Sequence, residues 1–111
     1  MEKLFSYGTL QQKNVQMANF GRELKGQSDK LSKYRVDEIL ITDERVLRES
    51  GKSLHPILKF TGNTHDLVEG TVFELTSEEL KQADDYEVEN YQRVEAVLES
   101  GARCWIYCAA E

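Results

Sequence analysis

Apolar positions in this chain fall mostly in short alternating runs, the pattern of half-buried strands. Residues 2–6, with Leu4 and Phe5, read as a first strand. "QQKNVQMANF", residues 11–20, instead spaces Val15, Ala18 and Phe20 at loosely helical intervals and stops at Gly21, which predicts a short helix or turn. Residues 22–50 keep no single period, and they are read as two strands around a turn near Gln27 to Lys30. "HPILKF", residues 55–60, is a strand with Pro56 at its start, where a missing N–H is tolerated. "LVEGTVFEL", residues 67–75, alternates cleanly, and its Gly70 predicts a bulge or bend. The clearest helix follows, from Ser77 to about Glu87, with Thr76 as N-cap and Glu79 completing a capping box. "YQRVEAVLES", Gly101 and "ARCWIYCAA" form a hairpin. Its last strand sets Arg103, Trp105 and Tyr107 on one face and Cys104, Ile106 and Cys108 on the other. Strands with one good helix inserted late make an α+β fold, a mixed sheet that curls toward a small barrel.

Length and charge narrow the function. A chain of 111 residues with 40% hydrophobic content makes one domain, residues 1–111, around one core. Its net charge of -6 and the lack of a basic stripe exclude an ordinary nucleic-acid binder and disfavour an anionic membrane surface. No apolar run approaches the roughly 20 residues of a membrane span. The first residues lack the apolar stretch of a signal peptide. A cytoplasmic protein that is a monomer or weak homodimer is expected. Cys104 and Cys108 lie four residues apart on one strand face, about 13 Å, too far for a disulfide. They are expected to be buried, reduced core thiols. His55 and His65 stand isolated and no Cys-x-x-Cys occurs, so no metal site and no cofactor are expected.

One carboxylate lies in an unusual position. At 100° per residue, Leu80 sets the apolar direction of the late helix, with Ala83 about 60° to one side and Asp84 about 40° to the other. Glu87 falls only about 20° from Leu80, inside the apolar stripe. Burial and the negative helix C-terminus both raise a carboxyl pKa, which suits a group that accepts and returns a proton. Periodicity leaves an alternative open, in which the helix ends at Tyr86 and Glu87 turns to solvent or pairs with Arg93. Tyr91 and Arg93, two apart on the next strand, point the same way. Tyr91 either lines the pocket that Glu87 faces or belongs to the core.

"LFSYGTLQ", residues 4–11, interrupts the first strand with Tyr7-Gly8-Thr9-Leu10. A glycine after a strand permits positive φ and close approach of a ligand to the backbone. Successive N–H groups at such a turn make a small anion-binding concavity, and a plain strand-ending turn has the same sequence. With one glycine and no following lysine, the loop is neither a phosphate loop nor a dinucleotide fingerprint.

Taken in order, "LFSYGTLQ", "HPILKF", "VEGTVFELTSEEL", "DDYEVENYQRVEAVL" and "ARCWIYCA" resemble the γ-glutamylcyclotransferase-like, or AIG2-like, family. The resemblance covers most of the chain, residues 22–50 least. It implies a small closed mixed β-barrel with flanking short helices. It also implies an enzyme that cyclises a γ- or ε-linked glutamyl group to 5-oxoproline, releases the free amine and uses no cofactor. By match of motif, Glu87 takes the family's catalytic position, and Tyr7, Gly8, Thr9 and Leu10 take its substrate-cradling loop. Ala83 stands where the family usually has leucine, a difference that bears on the leaving-amine side more than on the chemistry. Two other functions use the same pocket: a non-enzymatic module that binds a small ligand or a protein, and a lyase-like enzyme acting on a different carbonyl compound.

Overall fold

The computed structural model describes residues 1–40, 44, 47–48, 54–87 and 91–110. The strands are β1 (Glu2–Ser6), β2 (Gly26–Ser32), β3 (Tyr34–Leu40), β4 (Leu54–Phe60), β5 (Leu67–Leu75), β6 (Tyr91–Val97) and β7 (Arg103–Ala109). A 3-10 turn (Thr9–Gln11) leads into helix α1 (Lys13–Phe20), and helix α2 (Ser77–Tyr86) follows β5. The order β2-β5-β1-β7-β4-β3, with β6 also on β7, is a mixed sheet that curls into a half-barrel beside the two helices.

The register around β7 creates the opening in this sheet. β6 pairs antiparallel with β7 along its whole length, from Val97↔Arg103 to Tyr91↔Ala109. β1 and β4 therefore share the other edge of β7, both parallel to it, at Leu4↔Trp105 and Leu58↔Cys108. Two strands entering one edge cannot both pair along it. The sheet parts between them, and the loop after β1 fills the seam. β1 and β7 are covered on both faces, as a central strand requires. Leu4 and Tyr107 pack with Leu80, Ala83 and Tyr86 of α2, while Phe5, Cys104, Ile106 and Cys108 pack with Leu31 and Leu58 on the other side. Neither cysteine is in a disulfide and both are buried, on the shared face expected of them.

Most predicted elements are present, including α1, which ends at Gly21 in the left-handed conformation. Two expectations are corrected. Gln27 to Lys30 form no turn: they lie inside β2, paired with Glu69 to Val72 of β5. β2 ends the sheet order, so its polar side chains face solvent and only Leu31 is buried. The reversal comes at Lys33, whose φ of 72° is held by its N–H on the Asp66 carbonyl and by Thr61 and Gly62 donating to its own carbonyl. The strand reading of residues 41–43, 45–46 and 49–50 lies outside the described residues. Gly70 marks no bulge, because the β2–β5 register runs through it unbroken. A Cβ there would sit 2.4 Å from the Ser6 carbonyl oxygen, so glycine lets β5 approach β1 closely.

Candidate functional site

The seam in the sheet is a narrow cavity of about 30 Å³. Tyr7, Gly8, Thr9 and Leu10 form one wall, Pro56 and His55 of β4 a second, Glu87, Tyr91 and Tyr107 a third, and Leu4, Phe5 and Ser6 of β1 complete the lining. All six residues singled out in the sequence thus meet at one place.

Glu87 is brought there by α2. Thr76 Oγ1 accepts from the Glu79 N–H at 3.0 Å, and the Glu79 carboxylate accepts from the Thr76 N–H at 2.9 Å, which is the expected capping box. Arg22 clamps the same carboxylate through two nitrogens, at 2.8 and 2.7 Å. With its start fixed, α2 buries Leu80, Ala83 and Tyr86 and stops at Glu87. Glu87 has extended backbone, and its N–H closes the last turn on the Ala83 carbonyl. The residue keeps some exposure, yet its carboxyl sits deep enough that lost hydration is the largest force on it. Burial first, and the nearby Asp84 carboxylate second, push its pKa up to about 8.

Arg93 does not pair with Glu87. It forks onto Asp84 instead, Nε at 2.8 Å and a terminal nitrogen at 3.1 Å. Its guanidinium lies 4.3 Å from the centroid of the Trp105 ring, a cation–π contact. Tyr107 donates its hydroxyl to the same Asp84 oxygen at 2.7 Å. Asp84 is thus a fixed negative charge one turn behind Glu87.

The loop is held by its own side chains. Tyr7 reaches across the seam, donating to the Tyr107 carbonyl at 2.6 Å and accepting from the Leu58 N–H at 3.3 Å. Thr9 and Tyr86 share a buried hydroxyl–hydroxyl hydrogen bond of 3.0 Å, joining the loop to the end of α2. Leu10 is anchored in the core. Gly8 has φ −132°, so positive φ is not what glycine supplies here. Its requirement is steric, because a Cβ would lie 3.0 Å from Pro56 Cγ. The opening N–H groups of a helical turn have no acceptor within the turn, and those of Thr9–Gln11 begin at this wall. Tyr91 donates its hydroxyl to the Pro56 carbonyl at 2.8 Å, tying β6 to β4. Burial raises the pKa of Tyr7, Tyr91 and Tyr107 well above the usual phenol range.

Sequence reasoning missed His55, Pro56 and Tyr107 as cavity residues, and Asp84 and Arg93 as a pair. His55 gives no signal as a lone candidate metal ligand; the clue is that it shares a strand face with buried Ile57. Tyr107 follows from the face assigned to Trp105, once β1 is known to pair there. Among the described residues, no group of three or more His, Cys, Asp and Glu side chains is placed to hold a metal ion. Among them too, no helix is long and apolar enough to cross a membrane.

The family model for gamma-glutamyl cyclotransferase, AIG2-like proteins matches residues 4–111. No curated protein matches the chain. Similar solved structures include a protein of Arabidopsis thaliana determined in solution, 22% identical with a TM-score of 0.71, over 99% of this chain and 69% of that one. A gamma-glutamyl cyclotransferase is 14% identical with a TM-score of 0.69, over 99% of this chain and 67% of its own. An uncharacterized protein from Pyrococcus horikoshii is 16% identical with a TM-score of 0.64, over 100% and 80%. At these identities the likeness is one of fold.

Proposed function

The chain belongs to the gamma-glutamyl cyclotransferase, AIG2-like family, and from that premise we propose that it cyclises a γ- or ε-linked glutamyl group to 5-oxoproline and releases the amine. The observation that carries this reading is the placement of Glu87, which lines one cavity with the Tyr7–Leu10 loop and whose carboxyl pKa burial pushes up to about 8. Such a group exchanges a proton readily near neutral pH.

The substrate's α-ammonium gives a proton to the Glu87 carboxylate. The freed amine attacks the side-chain carbonyl carbon, closing a five-membered ring and placing negative charge on the carbonyl oxygen. N–H groups at the start of the Thr9–Gln11 turn hold that oxyanion or the α-carboxylate. The bond to the leaving nitrogen breaks as Glu87 returns its proton there. The ring nitrogen, still carrying two hydrogens, then gives one to the Glu87 carboxylate, which passes it to the released amine; of the ammonium's three hydrogens, one stays on the lactam nitrogen and two depart with the amine as its ammonium. Both reacting groups belong to one molecule, so holding the folded conformer supplies much of the rate, with effective molarities that reach about 10⁵ M or more.

Incubation with a panel of γ- and ε-glutamyl amines tests the reading. Release of 5-oxoproline and free amine in equal amounts is expected from at least one member. Binding without release across the panel would favour a small-ligand module on the same fold.

A further inference from the structure

β3 ends the strand order, and among the described residues it pairs only with β4. Its backbone groups alternate between that partner and the open side. The Lys33 carbonyl accepts from the Thr61 N–H at 2.8 Å. By alternation Arg35, Asp37 and Ile39 bond to β4, while Tyr34, Val36, Glu38 and Leu40 turn their N–H and C=O groups outward. β4 shows the matching pattern. Leu58 and Pro56, opposite Val36 and Glu38, give an N–H and a carbonyl to Tyr7 and Tyr91 instead. On the open side the Glu38 N–H donates to Asp37 Oδ1 at 2.9 Å. Val36 is 47% exposed, and the Arg35 and Asp37 side chains are 62% and 46% exposed. A strand edge of this kind is a template for another strand.

We propose that β3 pairs antiparallel with β3 of a second copy, about a two-fold axis through Val36. Charge selects both the occupant and the register. A two-fold axis sets residues opposite one another symmetrically about its centre. Centring on Arg35, Asp37 or Glu38 would place that charge against itself, which destabilises an antiparallel pair. Centring on Val36 places Val36 against Val36, Arg35 against Asp37 and Tyr34 against Glu38, on both sides of the axis. The backbone agrees, because the outward groups of Val36 then meet those of its copy and the outward groups of Tyr34 meet those of Glu38. The Glu38 N–H passes from the Asp37 carboxylate to the Tyr34 carbonyl of the second copy. Asp37 is thereby released to Arg35 of the second copy. It already holds Lys59 at 3.2 Å and its own Arg35 at 3.9 Å, so the new pair extends an exposed network and buries no lone charge.

Sedimentation equilibrium on the full chain tests the pairing. Wild type is expected to shift reversibly from one chain toward two below about 0.5 mM, an association of at least roughly 4 kcal/mol. Arg35→Asp alone and Asp37→Arg alone each put like charges opposite, and each is expected to weaken self-association at least about tenfold, a difference of about 1.4 kcal/mol. Mixed in equal amounts, the two variants have opposite charges at every such position, and they are expected to associate with each other as tightly as wild type does with itself. A wild type that stays monomeric to about 0.5 mM would overturn the proposal in favour of an extended segment of another protein at this edge. Dimers that persist in both single variants, or variants shown folded by circular dichroism that do not associate when mixed, would overturn the register. The wild-type result needs no variant to fold.

Discussion

A single hydroxyl, that of Tyr7, spans the seam where β1 and β4 part along β7. It satisfies a backbone carbonyl on one side and a backbone N–H on the other. Tyr7→Phe leaves both without that partner and is expected to cost about 1–3 kcal/mol, read from the urea midpoint. A change under a few tenths would show that the seam closes without it. Glu87 makes the opposite contribution in its charged form. Its folded pKa of about 8 stands above the ordinary 4.5, so the native state holds the proton more tightly than the unfolded chain. The resulting stability is present in full below the unfolded carboxyl range and is lost as pH rises through about 8. Glu87→Gln should show no such loss in urea titrations across that window. Equal slopes in wild type and variant would mean that Glu87 titrates normally.

At the scale of elements, α2 shows why some of the sequence was legible. Its capping box, its apolar stripe and its end near Glu87 are all encoded within twelve consecutive residues, Thr76 to Glu87. The turn misplaced at Gln27 to Lys30 was illegible because an edge strand tolerates the polar residues that a turn prefers. Asp84 was legible as a helix position but not as a charge source, since its partners Arg93 and Tyr107 arrive from β6 and β7. Asp84→Asn removes the negative charge behind Glu87 and should lower the Glu87 pKa. If the proposed reaction holds, the acid limb of the kcat/KM–pH profile should move to lower pH. An unmoved limb in a folded variant would leave burial as the only cause of the shift. Thr76→Ala is expected to cost about 1 kcal/mol through loss of the N-cap, checked by denaturation.

The whole molecule decides what single elements cannot. Five motifs in order pointed to the fold and to the residues that gather at the cavity. The contacts that make it a site join positions far apart in sequence: Tyr7 to Tyr107, Thr9 to Tyr86, Tyr91 to Pro56. No local pattern reveals which edge of β7 carries both β1 and β4. Gly70 transmits this architecture to the cavity, because its missing Cβ makes room for the Ser6 carbonyl next to Tyr7. Gly70→Ala is expected to destabilise the fold by about 1–3 kcal/mol, measured in urea, and to displace the loop. A variant as stable as wild type would show that β1 has slack there. The central claim is that Glu87 moves the proton in a glutamyl cyclisation. Its most direct test is the rate of 5-oxoproline formation from γ- and ε-glutamyl amines by wild type and Glu87→Gln, with folding of both verified by circular dichroism. The account predicts turnover by wild type and a loss of at least about 10²-fold in the variant; equal rates in two folded proteins would contradict it.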